Sequence, residues 1–179
     1  MPRKPTLTLN VLSIYNSTTD KKSKEVQAAL SNSAFRFEYG RRVIDEITKR
    51  TLSGIDKQGS GFKGYSKSYK DSDIFKIYNK SSQVNLKLTG AMLDSMESFP
   101  SGTFNVDIKF LFDFEKDKAT WHINGTPKMP KRDFLGLPDK ILGDILIKTL
   151  KDFNTNADVF NTIEAGEVDV NDFVEVEQP

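Results

Sequence analysis

Polar and apolar residues alternate from Thr6 to Val11, and this period of two predicts a strand or an extended arm. Asn16-Ser17-Thr18-Thr19-Asp20 reads as a loop rich in helix-capping residues. From about Lys22 to Leu52 the spacing turns helical, with Val26, Leu30, Ala34, Phe37, Ile44 and Ile47 near one face. Gly40 interrupts this run and is expected to kink or split the helix. Ser53-Gly54 is expected to stop it, with Gly54 as a left-handed cap.

Residues 54–85 are polar and rich in Gly, Ser and Lys, which predicts a long loop of the kind that often carries function. Gly90 precedes Ala91–Met96, which suits a single helical turn. From Phe104 to Phe114 every even position is apolar, predicting a strand with one buried and one wet face in an antiparallel sheet. Asp117-Lys118 then reads as a turn and Ala119–Ile123 as the partner strand. Pro138 is placed to open a helix whose apolar stripe runs through Ile141, Leu142, Ile145, Leu146, Leu150 and Phe153, ending at Asn154-Thr155-Asn156. The fold class expected is α+β. An antiparallel sheet, with a mixed one left open, packs against a long N-terminal helix and a C-terminal helix. One domain would span residues 1–153, and an acidic extended tail residues 154–179.

Composition narrows the chemistry. The 179 residues include no Cys and one His, which excludes disulfide frameworks, thiolate metal sites, cysteine nucleophiles and multi-histidine metal centres. No apolar run approaches the roughly 20 residues of a membrane span, so no membrane partner is expected. The opening Met1-Pro2-Arg3-Lys4-Pro5 has no apolar signal core. The net charge of +1 conceals a division: residues 1–151 hold all 26 Lys and Arg against 17 acids, and residues 152–179 hold 8 acids and no base. A basic body facing nucleic acid, a tail docking on a basic neighbour, and an ordinary solvated tail all fit this division.

Four features carry candidate chemistry. Gly59-Ser60-Gly61-Phe62-Lys63-Gly64 has glycines and a lysine but lacks the Gly-Lys-Ser/Thr end of a phosphate loop, and it follows a helix. Asp71 with Asp73, and Asp113 with Glu115, are paired carboxylates without a histidine or glycine arrangement suited to a metal. His122 could act as a base, but no nucleophile elbow accompanies it, and a packed imidazole bonded to backbone is the simpler reading. Phe62, Lys63, Tyr65, Lys67, Tyr69 and Lys70 interleave aromatic and basic residues, which suits base stacking or a loop with tucked rings and solvated lysines.

Four segments, in this order, resemble a known family. They are Gly61-Phe62-Lys63-Gly64-Tyr65-Ser66 with Tyr69; Leu86-Lys87-Leu88-Thr89-Gly90-Ala91-Met92-Leu93-Asp94-Ser95; Ala119-Thr120-Trp121-His122-Ile123-Asn124-Gly125; and Pro130-Lys131-Arg132-Asp133-Phe134-Leu135-Gly136-Leu137. Over roughly residues 40–152 the chain is similar to the virion morphogenesis and tail-completion proteins of tailed bacteriophages, the neck or tail-component group. Lys118 stands where the family often has Tyr, and the loop after Phe62 is longer. The resemblance implies a structural virion protein with no catalytic residue, metal or cofactor. It would assemble in the host cytoplasm into a homo-oligomeric ring, six-fold, at the neck of the virion. That ring would complete the tail and join it to the head connector. Its partners would be further copies of itself, the tail tube protein and the portal-side neck proteins, with weak contact to channel DNA. Gly90, His122, Gly125 and Gly136 would be structural positions of the motif. Ring closure needs heterologous contacts, and the segments able to reach a neighbour supply the interface candidates. These are Leu7, Leu9 and Val11 in the arm, Phe62, Tyr65 and Tyr69 in the loop, Arg132, Asp133 and Phe134, and Asp169, Asp172 and Phe173 in the tail. Arg132 could pair with a carboxylate across a subunit contact or serve as a local cap. The alternative function is a nucleic-acid-binding module that uses the basic body and the Tyr/Lys loop.

Overall fold

The computed structural model describes residues 5–19, 24–87 and 89–164, residues 154–164 by their backbone alone. It is an α+β fold. Leu7–Asn10 (β1) leads into α1 (Val11–Thr18), then α2 (Lys24–Ser31) and α3 (Ser33–Leu52). Two short helices, α4 (Lys67–Lys70) and α5 (Asp73–Ile77), punctuate the long loop. After them come α6 (Ala91–Asp94), β2 (Met96–Ser101), β3 (Asn105–Phe110), α7 (Asp113–Asn124) and α8 (Asp139–Glu164).

The three strands form an antiparallel sheet in the order β1-β3-β2, with Leu9 opposite Val106 and Ser98 opposite Ile108. Alternation puts Leu9, Val106, Ile108, Phe110 and Met96 into the core, where they meet Phe35, Tyr39, Val43 and Ile47 of α3. Helix and sheet approach closely at Gly40: a Cβ there would lie 2.0 Å from Ser98 Oγ and 2.7 Å from Val106 Cγ1. Gly40 is therefore a contact glycine inside an unbroken helix, not the expected kink. The helical run breaks instead at Asn32, whose Oδ1 accepts from the backbone N–H of Ala34 (2.8 Å) and Phe35 (3.2 Å) and so caps α3. Gly54 has φ +80°, as expected of a left-handed terminator. Arg36 fastens α3 to the β2–β3 turn, donating from Nη1 to the carbonyls of Ser101, Gly102 and Asn105.

α8 runs back along α3. Phe134, just ahead of α8, gives its carbonyl to Arg50 Nη2 (2.6 Å) near the end of α3. Asp152 meets Arg42 Nη1 at 2.5 Å, and Phe153 meets Phe35, at the start of α3, edge to face at 5.5 Å. The helix expected to stop at Asn154–Asn156 continues through Glu164.

Three more expectations change. The eleven-residue strand is six residues long and stops at Phe110. Asp113 and Glu115 sit in the first turn of α7, where acids complement the helix N-terminus. Ala119–Ile123 is accordingly helical rather than a return strand: Glu115, Ala119 and Ile123, four residues apart, form the buried stripe of α7. The partner of β3 comes from before it, as β2. Finally, α1 occupies most of what read as the Asn16–Asp20 loop.

Candidate functional site

α7 carries two surfaces. Its buried stripe brings Glu115 inside, where Lys118 Nζ meets both carboxylate oxygens at 2.9 and 3.1 Å. The opposite side presents Phe114 and Trp121, seven residues or two turns apart, and Lys118 Nζ stands 4.2 Å above the Phe114 ring. Leu111 and Phe112, just before the helix, are exposed as well. These four residues are 51% (Leu111), 62% (Phe112), 64% (Phe114) and 47% (Trp121) exposed. Large apolar side chains grouped in this way mark interaction surfaces more often than solvated ones.

Beside this ridge lies a cleft of about 370 Å³. Tyr65 and Tyr69 of the long loop form its aromatic wall, backed by Phe75, the three ring centroids 5.1 to 5.7 Å apart. Arg132 holds the loop down. It is buried, its Nε donates to the carbonyl of Lys63 (3.2 Å) and Nη2 to that of Gly64 (3.4 Å), and its guanidinium lies 5.4 Å from the Tyr65 ring centroid. The Arg132 backbone N–H donates to the carbonyl of His122 (2.7 Å), tying the segment to the end of α7. Lys80 reaches across the Tyr65 ring, donating to Asn85 Oδ1 (2.8 Å) and to the Lys87 carbonyl, and burial pulls its ammonium below the usual lysine range. Met92, Leu86 and Met129 supply the apolar floor, and Lys87 and Lys128 are exposed on the rim. Among the described residues no carboxylate lines the cleft.

His122 sits in the cleft wall. Burial, reinforced by the nearby Arg132 charge, pushes its imidazole down to about 4, and its Nδ1 is buried without a hydrogen-bond partner among the described residues. A neutral imidazole at physiological pH fits a packed residue. Among the described residues no group of three or more His, Cys, Asp or Glu is placed to hold a metal ion, and no helix is long and apolar enough to cross a membrane.

The chain matches no known protein family, no curated protein and no solved structure. The structure does bring together the four sequence segments quoted above: Tyr65 and Tyr69, Lys87 and Gly90, His122, and Arg132 all line this one cleft. Gly90 (φ +101°) starts α6, and Gly125 (φ +75°) ends α7 under the backbone of Lys131. Gly136, at φ +134°, turns the chain between Leu135 and Leu137.

Several interface candidates are used within the subunit. Leu9 and Val11 are core residues, and Leu7 pairs opposite Ile108, so β1 is a strand of this sheet rather than an arm. Phe134 is fully buried against Phe110. Arg132 gives two of its N–H donors to backbone carbonyls of the long loop, a local role. Asp133 is buried and meets Lys57 Nζ at 2.9 Å. Phe62 is half-buried against the core. Asp169, Asp172 and Phe173 lie outside the described residues. Sequence reasoning missed the ridge because Phe112 and Phe114 continued the strand period. The four-residue spacing of Glu115, Ala119 and Ile123 was the signal that would have found it.

Proposed function

We propose that the protein is a structural assembly subunit, a ring-forming component of the neck of a tailed bacteriophage that completes the tail and joins it to the head connector through protein contacts alone. The observation that carries this reading is the ridge of Leu111, Phe112, Phe114 and Trp121, large apolar side chains left in water by the folded chain. Aromatic anchors of this kind dominate protein interfaces. The ordered likeness of four segments to the tail-completion group supplies the partner class. Light scattering on the full chain across a concentration series tests it. A single mass that is a fixed multiple of 20.2 kDa is expected. A monomer at every concentration that also fails to co-sediment with tail tubes or connectors would sink the proposal.

A second reading, nucleic-acid binding, is favoured by the cations around the cleft. It expects the monomer to bind DNA with an affinity that falls steeply with salt. Tyr65, Tyr69 and Phe75 lie against one another and Arg132 covers Tyr65, which reduces the ring surface open to bases.

A further inference from the structure

We infer that the cleft is the receptor for the acidic C-terminal segment of a neighbouring copy, so that subunits join head to tail. The inference rests on the assembly reading and names the contact that would propagate it.

Charge complementarity is the first argument. Lys80, Lys87, Lys118, Lys128 and Arg132 line the cleft around an apolar floor, and no carboxylate is among the lining residues. Between Glu167 and Glu177 the chain places five acids (Glu167, Asp169, Asp172, Glu175, Glu177) among five apolar residues (Val168, Val170, Phe173, Val174, Val176), with no base. Apolar side chains for a floor and carboxylates for a cationic rim are the composition this cleft requires. Lys118 and Lys80 already have partners inside the subunit, which leaves Lys87 and Lys128 as the rim charges open to a ligand.

The second argument is reach. The cleft lies at the end of the molecule where α3 finishes, since Arg132 is two residues from Phe134 and Phe134 is held by Arg50. α8 starts at that end and leads away from it, past Arg42 and then Phe35. Its 26 residues cover about 39 Å at 1.5 Å per residue. Phe173 lies nine residues beyond Glu164, at most about 32 Å at full extension. The stretch up to Phe173 is thus shorter than α8 itself, and Glu175 and Glu177 span that length only at near-full extension, whereas a neighbour placed at the end of α8 can meet the whole segment. An acidic segment of one copy in the basic cleft of the next is a heterologous contact, the kind that closes a ring.

The test uses the full chain throughout. A cleft variant carries Lys87→Glu with Lys128→Glu, both at exposed positions, and a tail variant carries Asp169→Lys with Asp172→Lys. Each alone is expected to associate more weakly than the parent chain by light scattering. Mixing the two is expected to restore association, because the reversed tail positions then face the reversed cleft positions and each unaltered tail faces an unaltered cleft. A labelled synthetic peptide of residues 165–179 reads the same contact without self-association, and roughly tenfold weaker binding to the cleft variant is expected. Equal peptide binding by parent and cleft variant overturns the docking. A fixed mass above the monomer that neither pair of substitutions changes overturns it as well, and leaves the ring standing. A parent that stays monomeric yet binds the peptide through Lys87 and Lys128 keeps the docking and overturns the ring formed by this chain alone. An oligodeoxythymidine that binds through the same two lysines where the peptide does not reassigns the cleft to nucleic acid.

Discussion

Gly40 shows how context reverses a local preference. In an exposed helix, Ala at this position would be favoured by about 1 kcal/mol. Here the added methyl would meet Ser98 Oγ at 2.0 Å on a strand that cannot retreat without disturbing the core. Gly40→Ala is expected to destabilise the fold by about 1–3 kcal/mol, read as a fall in the urea midpoint. His122 makes a pH-dependent contribution with a definite sign. Its imidazole ionises near 6.5 when unfolded and near 4 when folded, so between these values the unfolded chain binds more protons. Stability is therefore full above pH 6.5 and declines as pH falls toward 4, by on the order of 3 kcal/mol. Urea midpoints measured through this window should fall in the parent chain and fall less in His122→Gln. Among single residues, Gly54 and Gly90 were legible because a left-handed backbone demands glycine. Gly40 was not, because the reason for it is Ser98, which is 58 positions away.

At the level of elements, the helix boundary between α2 and α3 follows from one capping side chain. Asn32→Ala removes the acceptor for two backbone N–H groups and is expected to cost about 1 kcal/mol, measured as a lower thermal midpoint with the helical content retained. Elements whose signal is local were legible: β1 from strict alternation, α6 from its glycine, the start of α8 from Pro138. The junction of β3 and α7 was not. Phe110, Phe112 and Phe114 satisfy a strand period, and the four-residue spacing of Glu115, Ala119 and Ile123, with a charged residue at its head, is a weaker signal of where the period changes. The same switch turns two supposed core phenylalanines outward and creates the ridge. The cleft was legible in pieces, since Tyr65, Tyr69, Gly90, His122 and Arg132 stood out separately. Their convergence depends on Arg132 reaching 68 residues back to Gly64, which no local pattern records.

For the whole molecule, the basic cleft and the apolar ridge are surfaces of different physics, and salt separates them. Raising ionic strength from about 0.1 M to about 1 M shortens the screening length from roughly 10 Å to 3 Å. A contact made by the basic cleft should weaken under that change, and one made by the ridge should persist or strengthen. Phe112→Ser combined with Trp121→Ser, both at exposed positions, is expected to weaken association by roughly tenfold or more at either salt concentration without moving the thermal midpoint. Sedimentation equilibrium at the two ionic strengths checks both statements.

The pairing of β1 with β3 also has a consequence for synthesis. Leu7 finds Ile108 as its partner, so the first strand to leave the ribosome waits for about a hundred further residues. At roughly 5–20 residues per second, that is on the order of 5–20 s during which an apolar strand has both edges unsatisfied. A growing chain in this state can pair with another nascent copy as readily as with itself. On a crowded polysome, yield should therefore depend on translation speed and on holdase chaperones more than the stability of the finished fold would suggest.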